Sequence, residues 1–198
     1  MSGHYYSKKP EVNHNRQTHA DSLRGFSMKF VTDAGVFSKT GVDYGSRVLV
    51  ETMQLDEGDR VLDVGCGYGP IGLTAAKLVG SGHVTMIDIN ERAVELAKEN
   101  AKLNKITNVT AIQSDLFEAV KTDRFNVILT NPPIRAGKTV VHQIFEEGYA
   151  LLQEGGSMWV VIQKKQGAPS AMDKLEAIFG EVEEMTKDKG YWILRAQK

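Results

Sequence analysis

The sequence predicts one α/β domain: a mostly parallel sheet that includes an antiparallel terminal strand and carries helices on both faces. Three observations predict it. From residue 60 onward, short β-rich runs alternate with helical patterns, as right-handed βαβ units require. A glycine-rich loop, Asp63 to Gly69 (DVGCGYG), joins the first apolar run to a helix opened by Pro70. The last two β-like runs are separated by Asp188-Lys189-Gly190, which is hairpin turn chemistry, so the sheet should end on an antiparallel strand.

The elements follow in order. Phe26, Met28 and Phe30 alternate as a strand, Asp33-Ala34-Gly35 turns, and Ser46 can cap a helix ending near Leu55. Strands are expected at Arg60 to Val64, Val84 to Asp88, Val109 to Gln113, Val127 to Thr130 and Met158 to Ile162, each bounded by Gly, Asn or Asp. Helices are expected at Pro70 to Val79, Glu91 to Asn104 and Lys138 to Leu152; the second places Ala93, Leu96, Ala97, Asn100, Ala101 and Asn104 on one stripe. Gly155-Gly156 should turn the chain into the fifth strand. A helix from Pro169 to Phe179 precedes the closing runs Glu181 to Lys187 and Tyr191 to Ala196.

A chain of 198 residues, 41% hydrophobic and 25% charged, suits one such domain. Residues 1–57 read as an N-terminal extension with a small hairpin and helix, and residues 58–198 as the domain that carries the sheet. No apolar run approaches the roughly 18 residues that span a bilayer, and MSGHYYSKKP does not resemble a signal peptide. The expected location is cytoplasmic, with no membrane partner and no metal. The single Cys66 cannot form an internal disulfide and, inside a glycine loop, reads as a packing residue. The net charge of −1 argues against a protein that coats nucleic acid non-specifically, but the charge is uneven. Residues 1–47 carry seven Lys or Arg against four Asp or Glu, and a second basic cluster, Arg135, Lys138, Lys164 and Lys165, falls in loops after the fourth and fifth strands.

Two motifs carry chemistry. Asn131 to Ile134 reads NPPI directly after a buried-type strand. Neither proline has an N–H, so the Asn131 Oδ1 and the Pro132 carbonyl are acceptors able to converge on one NH₂ group. A bare N-P-P also suits a helix-starting turn. In the glycine loop, Gly67, Gly69 and Gly72 formally satisfy G-x-G-x-x-G, with Asp88 about twenty residues on, as a dinucleotide fold requires. Against that, the turn begins at Gly65 immediately after the strand, which puts Pro70 where the third glycine belongs.

The loop fits D/E-x-G-x-G-x-G instead, and so resembles the first motif of class I methyltransferases, which bind S-adenosylmethionine on a Rossmann-like sheet. The resemblance implies a cofactor set of Asp63, Gly65, Cys66, Gly67 and Gly69, Asp88 on the ribose hydroxyls beside Ile89, Asp115 on the adenine amino group beside Leu116, and Asn131. It covers residues 58 to about 197, including the terminal hairpin. The order Phe37-Ser38, Asp43-x-Gly45-Ser46, DVGCGYG, Asp88, Asp115, NPPI is similar to the RsmC family, whose members methylate the exocyclic amine of a guanine in small-subunit ribosomal RNA. Larger members carry an additional N-terminal domain; this chain reads as the catalytic unit alone.

The resemblance implies a catalytic role for Asn131, Pro132, Pro133 and Ile134. Since the sulfonium activates its own methyl group, the residues chiefly align an amine lone pair about 3 Å from it. The target base must be unpaired and lie against a wall. Ile134 sits there, where relatives often have Tyr, Phe or Trp; Phe37, Tyr5 or Tyr6 can supply the aromatic. Arg135, Lys138, Lys164 and Lys165 gather at the carboxyl edge of the sheet and can hold phosphates of ribosomal RNA or the small subunit. His142, one turn after Lys138, reads as surface or helix packing. Residues 1–25 read either as a disordered arm or as an RNA clamp. The rival functions are methylation of protein glutamine or DNA adenine, both of which use N-P-P followed by an aromatic residue, and a non-catalytic nucleotide-binding module associated with the ribosome.

Overall fold

A computed structural model of the full chain describes residues 8–198. A seven-stranded sheet has the order β5-β4-β3-β6-β7-β9-β8. Its strands are β3 (Arg60–Val64), β4 (His83–Asp88), β5 (Val109–Gln113), β6 (Phe125–Thr130), β7 (Leu152–Gln163), β8 (Val182–Asp188) and β9 (Tyr191–Gln197). β3 to β7 pair in parallel, and β9, antiparallel to both neighbours, is inserted between β7 and the edge strand β8. The chain winds outward from β3 to β5, then returns to place β6 on the other side of β3. The carboxyl ends of β3 and β6 therefore flank the switch point of the sheet, where such folds open a crevice.

Helices α1 (Tyr44–Thr52), α2 (Pro70–Leu78) and α3 (Glu91–Leu103) pack on one face; α4 (Lys138–Leu151) and α5 (Ala168–Phe179) pack on the other. Alternate strand residues feed the two layers, as the period of two requires. Val61, Val127, Leu129, Trp159 and Val161 face the first, and Leu62, Val64, Ile128, Met158 and Val160 face the second.

Ahead of the sheet, β1 (Gln17–Leu23) and β2 (Phe26–Thr32) form an antiparallel hairpin around Arg24-Gly25, both with positive φ. Met28, Phe30, Val31, Val48, Leu49 and Met53 join the first core layer, so the segment before Arg60 shares the core of the sheet. β2 docks on α3 through two asparagines. Asn100 bonds the N–H and C=O of Val31, and Asn104 those of Lys29, in the manner of a neighbouring strand.

Several expectations are corrected. The N-cap of α1 is Asp43, whose Oδ1 accepts from the Ser46 N–H at 3.1 Å; Ser46 is already inside the helix, which ends at Thr52 instead of near Leu55. Gly155 and Gly156 lie within β7, absorbed by a register shift against β6 between Phe125 and Val127. Residues 8–25 are not a disordered arm. The Glu91 N–H donates to the Lys8 carbonyl, Arg92 donates to the Val12 carbonyl, and the buried Asp33 carboxylate takes the Asn15 N–H and pairs with His14. Polar main-chain groups that find such partners need not stay in water. Tyr5 and Tyr6 lie outside the described residues.

Candidate active site

The parallel register sets the site. Asp63 is level with Met86 on β4 and Leu129 on β6, Val64 with Ile87 and Thr130, and Asp88 with Gln113 on β5. Gly65, Asp88, Asp115 and Asn131 therefore emerge together at the carboxyl edge. The Thr130 hydroxyl donates to the Val64 carbonyl at 3.0 Å and fastens β6 to β3 where the two loops part.

The glycine loop turns because the N–H groups of Gly65 and Cys66 both donate to the Ile87 carbonyl, at 2.9 and 3.0 Å. Gly65 and Gly67 have φ of +73° and +56°, and a Cβ on either would meet nothing within 4 Å. Their glycine character therefore answers to backbone conformation and leaves a bare main-chain surface open to a ligand. Cys66 is buried, and burial raises its thiol well above the usual range, aided by the Asp88 and Asp63 charges. It is packing, as expected.

Asp63 is fully buried beneath this loop. Its Oδ2 accepts from the Gly72 N–H at 2.8 Å, and its Oδ1 has no partner. Burial pushes the carboxyl up to about 7, opposed by the Gly72 N–H and helped by Asp88. Asp88 accepts from Gly67 N–H and Asn90 N–H, both at 2.9 Å; burial raises its carboxyl despite these bonds. Asp115 is exposed and lies 3.6 Å from the Lys8 ammonium, while Ile89 and Leu116 are partly buried beside their acids. A bare glycine turn with an orphaned buried carboxylate oxygen below it and two further acids along its rim fits a nucleoside cofactor bearing an ammonium group.

The NPPI segment is held from both ends. The Ile134 N–H donates to the Pro132 carbonyl at 2.9 Å around Pro133 (φ −75°, ψ 80°), an inverse γ-turn. This occupies one lone pair of that carbonyl and leaves the second. The Asn131 Nδ2 donates to Ser46 Oγ at 3.0 Å and to Asp43 Oδ1 at 3.3 Å, so its Oδ1 is turned away from both and has no hydrogen-bond partner among the described residues. The sequence did not assign these contacts of Asp43 and Ser46 with Asn131, although the Asp43-x-Gly45-Ser46 motif could have pointed to them.

Ile134 is partly buried against the second core layer. It lines a cavity of about 120 Å³ with Lys138, Val141, His142, Ile162, Gln166, Gly167, Ser170 and Ala171. His142 stacks on Phe145, and burial together with Lys138 and Lys174 lowers its imidazole below the usual range, so it packs as expected. Arg135 and Lys138 stand beside NPPI, and Lys164 and Lys165 form a short 3-10 turn after β7. All four are exposed, and none makes an ion pair among the described residues. Phe37 is 42% exposed in the loop between β2 and α1. Among the described residues no helix is long and apolar enough to cross a membrane, and no group of three or more His, Cys, Asp or Glu can hold a metal ion.

Residues 27–195 match the family model of the methyltransferase small domain. The chain is 55% identical over 200 residues to the uncharacterized protein YbxB of Bacillus subtilis (strain 168), covering 100% of both. It is 29% identical to ribosomal RNA large subunit methyltransferase G of Psychromonas ingrahamii, over 86% of this chain and 46% of that one. It is 28% identical to ribosomal RNA small subunit methyltransferase C of Hamiltonella defensa, over 96% and 55%. Among solved structures, the T. thermophilus 16S rRNA methyltransferase RsmC, in complex with AdoMet and guanosine, matches with a TM-score of 0.84 at 28% identity, over 96% of this chain and 52% of that chain. The chain spans about half the length of these ribosomal RNA methyltransferases.

Proposed function

The chain belongs to the methyltransferase small domain family, whose methyl donor is S-adenosylmethionine, and from that premise we propose that it methylates the exocyclic amine of a guanine in small-subunit ribosomal RNA. The observation that carries the reading is the Asn131 carboxamide: its NH₂ is tied to Asp43 and Ser46, and its oxygen is free to accept. In this reading residues 58–198 are the catalytic unit and residues 1–57 an extension whose Asp43 to Ser46 turn reaches Asn131. The expected location is cytoplasmic.

S-adenosylmethionine, when bound, supplies a methyl group already activated by its sulfonium. Asp63 and the turn from Gly65 to Gly69, with buried Cys66 between the first two glycines, would hold the amino acid end. Asp88 beside Ile89 would take the ribose hydroxyls, and Asp115 beside Leu116 the adenine amino group. Guanine's amino lone pair is delocalised into the ring. Hydrogen bonds from that NH₂ to Asn131 Oδ1 and the second lone pair of Pro132 favour a pyramidal nitrogen and stabilise the positive charge that develops there. Pro133 shapes the turn and Ile134 lies at its end as an apolar wall. The nitrogen's proton leaves to these acceptors or to water, so no strong base is required. Arg135, Lys138, Lys164 and Lys165 would hold phosphates around the flipped nucleotide, and Phe37, 42% exposed, would lie against the base.

Large-subunit RNA is the second reading, because one of the relatives above is a large-subunit methyltransferase. The test uses labelled S-adenosylmethionine and ribosomal RNA from a strain lacking the protein, as naked RNA and as both subunits, digested to nucleosides. Label in N2-methylguanosine from the small subunit with wild type, reduced at least 100-fold in Asn131→Ala, is the expected result (about 2.7 kcal/mol or more of lost transition-state stabilisation). The same label from the large subunit moves the target, and label in another nucleoside sinks the guanine assignment. Cofactor binding without transfer to any RNA points to protein glutamine, DNA adenine or a binding role.

A further inference from the structure

We propose that Asp43 and Ser46 are positioning residues for the reaction: they fix the direction of the Asn131 carboxamide so that its oxygen, and not its NH₂, meets the substrate amine. This rests on the reading of Asn131 as the amine acceptor. The two ends of an Asn side chain are nearly identical in shape and opposite in hydrogen-bonding sense. A flipped Asn131 would present a donor to the substrate NH₂, which is itself a donor, and the site would repel what it must hold. The flanking prolines do not prevent the flip, since they offer no N–H to trap the oxygen.

The prevention comes from α1. Asn131 Nδ2 lies 3.0 Å from Ser46 Oγ and 3.3 Å from Asp43 Oδ1. A hydroxyl can serve either orientation, but a carboxylate only accepts. Flipping would set the Asn131 carbonyl oxygen against the Asp43 carboxylate. Asp43 is itself fixed, because the same Oδ1 caps α1 by accepting the Ser46 N–H at 3.1 Å, and its carbonyl accepts the Arg47 N–H at 3.1 Å. It also does more than orient. A carboxylate that accepts from one end of an amide draws electron density toward the oxygen at the other, which strengthens that oxygen as an acceptor while positive charge grows on the methylated nitrogen.

Helix capping alone would not demand Asp, because Asn caps as well. Asp43→Asn therefore separates the two roles: its amide oxygen still caps α1, but as a neutral acceptor it holds the Asn131 NH₂ less strongly than the carboxylate does. The first measurement needs no substrate. The Asn131 side-chain NH₂ resonances of the full chain, assigned by their absence in Asn131→Ala, are followed for exchange with solvent. Exchange about 10-fold faster in Asp43→Asn than in wild type, as expected when a hydrogen bond to a charged group becomes a neutral one, supports the proposal. Equal exchange overturns it. The second measurement is methyl transfer to ribosomal RNA. In Asp43→Asn, kcat should fall by a similar factor with cofactor affinity and Tm unchanged, whereas Asp43→Ala should lower Tm as well. Wild-type kcat in Asp43→Asn overturns the proposal even if Asp43→Ala is unstable. If wild type transfers to no RNA, the proposed substrate fails, and the exchange measurement still decides the orientation.

Discussion

Asp63 has one oxygen bonded to Gly72 and the other bonded to nothing, in a place no water reaches. Its carboxyl, ordinarily near 3.8, is pushed up to about 7 by burial. The folded chain therefore holds this proton more tightly than the unfolded chain. The stability it contributes is complete below about pH 4 and is lost as pH rises through about 7. Without cofactor, Asp63→Asn should raise Tm at pH 8 and flatten the decline between pH 5 and 8, by an amount on the order of a few kcal/mol. Part of the slope should remain, because burial raises Asp88 too. Thermal unfolding at several pH values checks this, and a slope equal to that of wild type would refute it. At this scale the positions of Asp63, Asp88, Asp115 and Asn131 were legible because each lies at or just past the end of its own strand. The bond between Asn131 and Asp43 was not, because 88 residues separate them and the Asp43-x-Gly45-Ser46 motif does not say which side chain it meets.

At the scale of elements, α2 lies so close to the sheet that Gly72 has no room for a side chain. A Cβ there would come within 2.6 Å of Met86 and 2.9 Å of Asp63 Oδ2. Met86 can yield at its flexible end, but Asp63 cannot move without losing the Gly72 N–H. Gly72→Ala should cost about 1–3 kcal/mol by overpacking and weaken cofactor binding, measured by denaturant unfolding and calorimetry. An unchanged midpoint would mean that helix and strand part more easily than their close approach implies. The parallel strands and their helices were readable from apolar runs and caps. β1 was not, because QTHADSL buries only Leu23 and presents polar residues on its exposed side, leaving little alternation to detect. The α1 cap was misplaced because Asp43 and Ser46 are both capping residues, and only the helix geometry distinguishes them.

For the whole molecule, a net charge of −1 means that attraction to RNA must come from where charge sits, not from how much there is. Replacing Arg135, Lys138, Lys164 and Lys165 by Ala should flatten the dependence of log K on log salt for single-stranded RNA by about 0.7 for each phosphate no longer neutralised. Cofactor affinity should be unchanged; an unaltered slope would mean that these cations do not meet phosphates. The architecture gives this separation a further meaning. The loops carrying the glycine turn and Asp88 lead into α2 and α3 in one core layer, whereas NPPI and the lysine turn after β7 lead into α4 and α5 in the other. A sheet that buries its two sides independently lets one side drift while the other is held. On the proposed reading, a lineage can revise how the loops before α4 and α5 meet phosphates and leave the glycine turn that holds its methyl donor unchanged.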